Sequence, residues 1–401
     1  MRSSSGPKPT TPETGCCPSC LSRELRFLFE TSAPIHTSKL IASREDALAY
    51  PCGNIRLEVC ERCGLITNTA FDASSHDYSA SYEETQAFSP RFVEFANGLA
   101  RMLDERKTLR GREVLEIGCG RGDFLQILCD VTGCHGVGVD PSFREGERAG
   151  ANSDYVAVRR RFFAEQDVDR PFALIVCRHT LEHVHDVAGF LGNVSRGLAS
   201  SAPKASVFFE VPDTLRILRE VAFWDIFYEH CTYFTPGSLC RAFRNAGFRP
   251  SELAFGFDDQ YLLLFAERGS GGEVLSVEEP SEVVSDLATQ FVTALDATRK
   301  RWTDLLRETR SRGETSVMWG AGSKGVGFLS TLGLRDEIAA VVDVNPAKHG
   351  MFMLGSGHEI IPPEALVDLR PNRVLVMNPV YLDEIRAQIA GLGIVANIEA
   401  I

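Results

Sequence analysis

Val114-Leu-Glu-Ile-Gly-Cys-Gly-Arg-Gly-Asp-Phe-Leu125 is the stretch whose reading decides the fold. Val114 to Ile117 is an apolar run of strand length, Gly118, Gly120 and Gly122 follow at once, and a helical pattern starts at Phe124. A strand that runs into a glycine turn and then a helix opens a doubly wound α/β sheet, where ligands sit at the carboxyl end of the first parallel strand. Glycine permits positive φ and a close approach of backbone to ligand. Gly136-Val-Gly-Val-Asp140 reads as the next strand. Asp140 closes it roughly 20 residues after the turn, where an acidic side chain takes ribose hydroxyls. Glu116 precedes the glycines, and their spacing is Gly-x-Gly-x-Gly, not the Gly-x-Gly-x-x-Gly of dinucleotide sites. Pro141, next to Asp140, and Cys119, inside the turn, join Glu116 and the three glycines as candidate cofactor contacts.

Outward from this turn, strand signals at 113–117, 135–139, 173–177, 205–211 and 261–266 alternate with helical stretches. Such alternation predicts a largely parallel, doubly wound sheet. On its N-terminal side lie Tyr78, Tyr82, Glu83 and Glu84, then a helical pattern of Phe92, Phe95, Leu99, Met102 and Leu103. On its C-terminal side, Gly269-Ser-Gly-Gly272 is a break. An amphipathic helix follows from about Ser281 to Arg312, with Val284, Leu287, Phe291, Leu295, Trp302 and Leu306 at helical spacing. Gly313 caps it.

A second strand-turn-helix then begins at Ser316, and here Gly320, Gly322 and Gly325 do match Gly-x-Gly-x-x-Gly. Ile338 to Val342 reads as a strand ending in Asp343, and Val374 to Met377 as another, followed by Asn378-Pro379. Residues 313–401 therefore read as a smaller Rossmann-like unit of three or four strands. Three uses of its turn stay open: a nucleotide cofactor, a substrate phosphate held by Lys324 with Lys348-His349 nearby, or close packing alone.

With 401 residues the chain has room for two or three domains, and 44% hydrophobic and 24% charged residues are ordinary for a globular protein. A net charge of −12 without a concentrated basic stretch argues against a nucleic-acid polymer as partner. No apolar run reaches membrane-spanning length. Residues 1–15, rich in Ser, Pro and Thr, read as a disordered tail and not a secretory signal, so a cytoplasmic location with reduced thiols is expected. Among the 12 cysteines, Cys17-Pro-Ser-Cys20 and Cys60-Glu-Arg-Cys63 form two Cys-x-x-Cys knuckles. Four thiolates so spaced suit tetrahedral structural Zn2+ in a unit spanning 16–75, with Cys16 as a substitute for Cys17 and Cys52 as a spare thiol.

Two segments carry candidate chemistry. Cys177-Arg-His-Thr-Leu-Glu-His-Val-His185 follows the strand at 173–177, and His179, His183 and His185 compete with the plain reading of a helix cap and solvated rings. Trp224-Asp-Ile-Phe-Tyr-Glu-His-Cys-Thr-Tyr-Phe234 sets Tyr228, Glu229, His230 and Tyr233 among aromatics. Imidazole titrates near neutrality, so His230 is a candidate general base. Neighbouring residues point apart, so Glu229 is expected to hold substrate or backbone instead of pairing with His230.

In this order the paired knuckles, Leu-Glu-Ile-Gly-Cys-Gly, Tyr-Glu-His-x-x-Tyr-Phe and Gly-Ala-Gly-Ser-Lys-Gly resemble the sugar C-methyltransferase family over nearly the whole chain. The resemblance implies a class I methyltransferase fold over 76–270 that binds S-adenosylmethionine, a zinc-binding domain before it, a connecting helix over 271–312, and a Rossmann-like C-terminal domain that helps hold substrate without NAD. It implies a nucleotide-linked keto-deoxysugar or related small-molecule substrate and His230 as the base that removes a proton beside the ketone. Glu229 and His183 match positions lining the family's substrate pocket. Tyr228 is expected with them at the reacting centre, His179 at the cofactor, and Tyr78, Tyr82, Tyr233, Lys324 and Asn378 at the substrate. The chain departs from the family pattern at Phe227, where a tyrosine is usual, around Tyr78 and Tyr82, and at Ala173. An O- or N-methyltransferase on the same scaffold is the alternative, with an NAD-dependent oxidoreductase and a non-catalytic zinc scaffold behind it. A monomer or homodimer is expected.

Overall fold

The computed structural model describes residues 15–75, 85, 88–144, 156–199 and 205–401; Tyr78, Tyr82 and nearly all of the expected N-terminal tail lie outside them. Three sheets organise the chain.

The first is antiparallel. Leu25–Pro34 pairs along its length with Cys52–Cys60, which pairs with Ile66–Asn68. Ile55, Leu57 and Val59 are buried between half-buried Arg56 and Glu58, the period of two expected when one strand face meets a core. Its fourth strand is Thr232–Tyr233, with Tyr233 opposite Ile66. The unit read as 16–75 is thus completed by the aromatic segment, because Ile66–Asn68 would otherwise present an open edge. The pairing carries Tyr-Glu-His directly beneath this sheet.

The second sheet runs Phe248–Gly256, Tyr261–Arg268, Ser206–Pro212, Phe172–Arg178, Glu113–Ile117, His135–Val139, Val156–Arg159. The last five are mutually parallel; Tyr261–Arg268 runs antiparallel to Ser206–Pro212 and makes a hairpin with Phe248–Gly256. This is the expected Rossmann-like methyltransferase sheet. Every residue of Phe172–Arg178 is buried, as befits a strand covered on both faces. The chain leaves Glu113–Ile117 toward His135–Val139 on one side and returns to Phe172–Arg178 on the other, which opens a crevice at the strands' carboxyl ends. Two strands escape the sequence reading. Val156–Arg159 has four residues, and Phe248–Gly256 carries Pro250 and charged residues that only an edge tolerates.

The third sheet is parallel throughout: Ile360–Ile361, Val341–Val342, Ser316–Trp319, Arg373–Val376, Asn397–Ala400. It has five strands, not three or four, because Ile360–Ile361, only two residues long, and Asn397–Ala400 join the strands read from the sequence; of the stretch Ile338 to Val342 only Val341–Val342 pairs.

The helix Ser281–Ser311 ties the units together, with Val284, Ala288, Phe291, Leu295, Trp302 and Leu306 buried along one face. Phe291 packs on Phe29 of the first sheet at 5.7 Å between ring centroids, and Trp302 packs on Phe328 of the third unit at 5.8 Å. Each such aromatic contributes about 2–3 kcal/mol of burial, so one core runs through all three units. No helix among the described residues is long and apolar enough to cross a membrane.

Candidate active site

The glycine turn sits where the sequence places it. Gly118 has φ +71°, and a Cβ there would lie 1.9 Å from Thr180 Oγ1. Gly120 has φ +52° but an open face with no atom within 4 Å of an added Cβ. The turn therefore needs glycine for backbone conformation and leaves room above it. The Gly120 amide donates to Asp140 Oδ2 at 2.8 Å, and Asp140 Oδ1 accepts from the Ser142 amide at 2.7 Å. Glu116, 3% exposed, has an Oε2 with no hydrogen-bond partner among the described residues. Burial pushes its carboxyl up to about 8, against the pull of Arg178. An orphaned buried carboxyl oxygen beside an open glycine cradle fits a ligand that brings its own donors. Cys119 is buried within the turn and Pro141 is half-buried after Asp140.

A buried charge network flanks it at the ends of Phe172–Arg178 and Ser206–Pro212. Arg178 lies 4.1 Å over the Phe124 ring and pairs with Glu210 at 2.5 Å. His179, at φ +47°, sets Nε2 2.9 Å from Glu210 and Nδ1 3.5 Å from Glu182. Burial opposes charge on Glu210, but Arg178 and His179 outweigh it and hold the carboxyl down at about 2. Burial likewise opposes charge on His179, yet Glu210 and Glu182 bring it up to about 9. His179 is thus paired closely with Glu210 and only at longer range with Glu182, and its ring meets Tyr261 at 4.5 Å; among the described residues no hydrogen bond joins its ring to the glycine turn.

From Phe223 to Phe234 every residue is buried except His230, which is half-buried. Its ring meets Phe227 at 4.1 Å, His183 at 4.8 Å and Tyr233 at 6.2 Å. Burial, reinforced by His183, keeps the His230 imidazole well below its usual range, so it is neutral at pH 7. His183 Nδ1 donates to the Glu229 carbonyl at 2.9 Å. The Glu229 carboxylate accepts from the Thr37 amide at 2.8 Å and from the Thr37 hydroxyl, which also meets Ser323 Oγ at 2.7 Å. Burial pushes Glu229 up to about 7. Backbone, one of the two partners expected for Glu229, is what it holds here.

Other expected contacts have different partners. The Tyr228 hydroxyl accepts from the Asp72 amide at 2.9 Å, and its ring leaves no room for a Cβ at Gly53, so it points into the first sheet. Tyr233 donates to the Phe227 carbonyl at 3.3 Å. Lys324, expected free for a phosphate, is paired with Asp225, which Arg216 also holds at 2.5 Å. Asn378 exchanges hydrogen bonds with the Gln260 amide at 2.8 and 3.1 Å. The sequence reading missed Thr37, Ser323, Asp225 and Glu210. Only Glu210 carries a local signal, an acid inside the apolar run Val207-Phe-Phe-Glu-Val211.

At the third sheet's turn, Asp343 Oδ2 accepts from the Ala321 amide at 2.9 Å and from Lys348 Nζ at 3.3 Å, while Lys348 also donates to the Ala321 carbonyl at 3.0 Å. Like Asp140, this acid accepts from the amide of its turn, but among the described residues it alone of the two also carries an ion pair to a lysine.

Cys17, Cys20, Cys60 and Cys63 bring their sulfurs within 4.8 Å of one another, with 3.6 Å from Cys17 to Cys63 and 3.5 Å from Cys20 to Cys60. Tetrahedral zinc with bonds of about 2.3 Å requires about 3.8 Å between sulfurs, so the geometry is compatible with that ion. The cluster takes Cys17 and not Cys16.

Residues 87–253 match the family described as "Methyltransferase domain", and 273–394 match "C-methyltransferase C-terminal domain". The chain is 27% identical over 375 residues to the C-methyltransferase NovU of Streptomyces niveus, covering 88% of this chain and 87% of that one. It is 31% identical over 166 residues to the ubiquinone biosynthesis O-methyltransferase of Hahella chejuensis, covering 40% of this chain and 63% of that one. Among solved structures, a methyltransferase from Aquifex aeolicus is 16% identical, covers 45% of this chain and 94% of its own, and has a TM-score of 0.34.

Proposed function

Since this chain is an S-adenosylmethionine-dependent methyltransferase of the C-methyltransferase family, we propose that it methylates a carbon beside a ketone of a nucleotide-linked deoxysugar or related natural-product intermediate. The observation that carries this reading is His230: a neutral imidazole, the one half-buried residue in a buried aromatic stretch, with no hydrogen bond to its ring nitrogens among the described residues. A ring in that state takes a proton. The proton beside the ketone passes to a His230 nitrogen, and the electron pair it leaves becomes an enolate. His183 keeps its Nδ1–H on the Glu229 carbonyl, which fixes its ring beside that of His230 at the reacting centre. Phe227 and Tyr233 exclude water from the ring's faces. Tyr228, Lys324 and Asn378 shape the surrounding wall through the partners described above.

Glu116, Gly118, Cys119, Gly120, Gly122, Asp140 and Pro141 would hold the cofactor, with His179 behind them. Bound there, S-adenosylmethionine supplies an electrophilic methyl group. Cys17, Cys20, Cys60 and Cys63 would hold a structural zinc, closed to substrate because four ligands leave no open position. The functional units are 16–75, 76–270, the connecting segment 271–312, which carries the helix Ser281–Ser311, and 313–401. In the last, the Lys348–Asp343–Ala321 contacts favour packing or substrate support over NAD.

Deuterium exchange beside the ketone and S-adenosylhomocysteine formation test the reading, and His230→Ala is expected to abolish both. Full turnover by that variant overturns His230 as base. The partial likeness to an O-methyltransferase supports a second reading, transfer to oxygen, and product NMR separates the two by the atom that bears the new methyl.

A further inference from the structure

We infer that Glu182, His183 and His230 form a second metal site, separate from the four-cysteine cluster, that takes a divalent transition ion of the zinc class. One carboxylate oxygen and two imidazole nitrogens lie within 4.8 Å of one another. They come from two segments pinned together by hydrogen bonds: the Cys231 amide donates to the Glu182 carbonyl at 3.0 Å, and the Thr232 side-chain hydroxyl donates to the Leu181 carbonyl at 3.2 Å. The juxtaposition therefore belongs to the fold and not to chance rotamers.

Each side chain is prepared for a ligand. Glu182 is 2% exposed, and neither carboxylate oxygen accepts a hydrogen bond among the described residues, although His179 Nδ1 approaches one of them to 3.5 Å. A buried carboxylate is ordinarily satisfied by donors or by a metal. His183 must donate through Nδ1, since its partner is a carbonyl, and this leaves the Nε2 lone pair free. Metal-binding histidines are oriented by such a bond from the other ring nitrogen. The His183 and His230 rings meet at 82° and 4.8 Å, so both can turn a nitrogen toward one point. Bonds of about 2.0–2.2 Å require ligand atoms about 3.4 Å apart, a closure of roughly 1 Å by side-chain rotation.

Two imidazoles and one carboxylate select Zn2+ or Co2+ over Mg2+ and Ca2+, which prefer all-oxygen shells. Three protein ligands leave a position open. A consequence rests on the reading of His230 as base: its lone pair cannot hold a metal and accept a proton together, so occupancy stops proton abstraction.

The test adds Co2+ to the full chain carrying zinc in its cysteine cluster. One further equivalent is expected, with weak ligand-field absorption in the visible and no sulfur-to-metal charge-transfer band. Glu182→Gln and His183→Ala should each weaken this binding at least about tenfold while the cysteine-bound zinc stays. Absence of Co2+ binding by the unaltered chain overturns the site, as does binding that neither substitution weakens. If Co2+ binds as expected but turnover is unaffected, the metal site stands and the base reading of His230 fails. If Co2+ does not bind but His230→Ala is inactive, the base stands and the metal site fails.

Discussion

The Glu229 carboxylate accepts hydrogen bonds from both the amide and the hydroxyl of Thr37, 192 positions earlier in the chain. The same hydroxyl meets Ser323 at the start of the helix Ser323–Leu332. One buried carboxyl thus joins all three units one residue before His230. Thr37→Val removes the hydroxyl and leaves the amide. The expected cost is about 1–3 kcal/mol in denaturant unfolding. Turnover should fall by about tenfold, because the Glu229 carbonyl also orients His183. Unchanged turnover with lowered stability would separate the two roles.

Asp225 is shared by Lys324 and Arg216 in a buried site. Lys324→Met leaves part of that charge uncompensated and should cost about 3 kcal/mol in thermal unfolding. Combining it with Asp225→Asn should recover part of the loss. A lysine that served only to hold substrate phosphate would instead show weaker substrate binding at unchanged stability.

Glu116 carries a pH signature. Its carboxyl titrates near its ordinary 4.5 when unfolded and at about 8 when folded. The folded state therefore holds the proton over that window while the unfolded state has lost it. Its contribution to stability is full below pH 4.5 and lost as pH rises through about 8. The change is at most about 5 kcal/mol. Glu116→Gln in the cofactor-free protein should flatten the stability profile over this range, measured by denaturant midpoints.

Gly118→Ala places a Cβ 1.9 Å from Thr180 Oγ1 at φ +71°. The local strain is about 1–2 kcal/mol. S-adenosylmethionine affinity by calorimetry should drop at least about tenfold, because the turn must shift to admit the methyl.

Removing the zinc proposed for the cysteine cluster is expected to loosen the first sheet. Cys60 ends the strand Cys52–Cys60 and pairs with Leu25, so Cys60→Ser uncouples both strands from the cluster. A stability loss of about 5 kcal/mol or more, with loss of one zinc by elemental analysis, is the expected outcome. Protease cleavage within residues 16–75 should appear at the same time.

Much of the architecture is local in origin and so was legible. Val114 to Asp140 announces a strand, a turn and an acid by apolar runs and glycines that act over a few residues, and the structure returns Glu113–Ile117 and His135–Val139. The long helix reads from its repeat of Val284, Phe291, Leu295, Trp302 and Leu306, and forms as Ser281–Ser311. Strand Phe248–Gly256 was not legible, because its Pro250 and charges are permitted only by an edge position that the chain cannot declare locally.

Sequence alone thus determined the glycine turn after the strand Glu113–Ile117, the paired cysteine knuckles and the order of the three units, since each depends on residue types at short, fixed spacing. Tertiary structure decided what the long-range partners are. Thr37 reaches Glu229, Asp225 captures Lys324, Thr232–Tyr233 completes the first sheet, and Glu182 and His183 come to His230. Those choices rest on which buried polar groups must find partners once the core closes, a demand met across the fold and not along the chain.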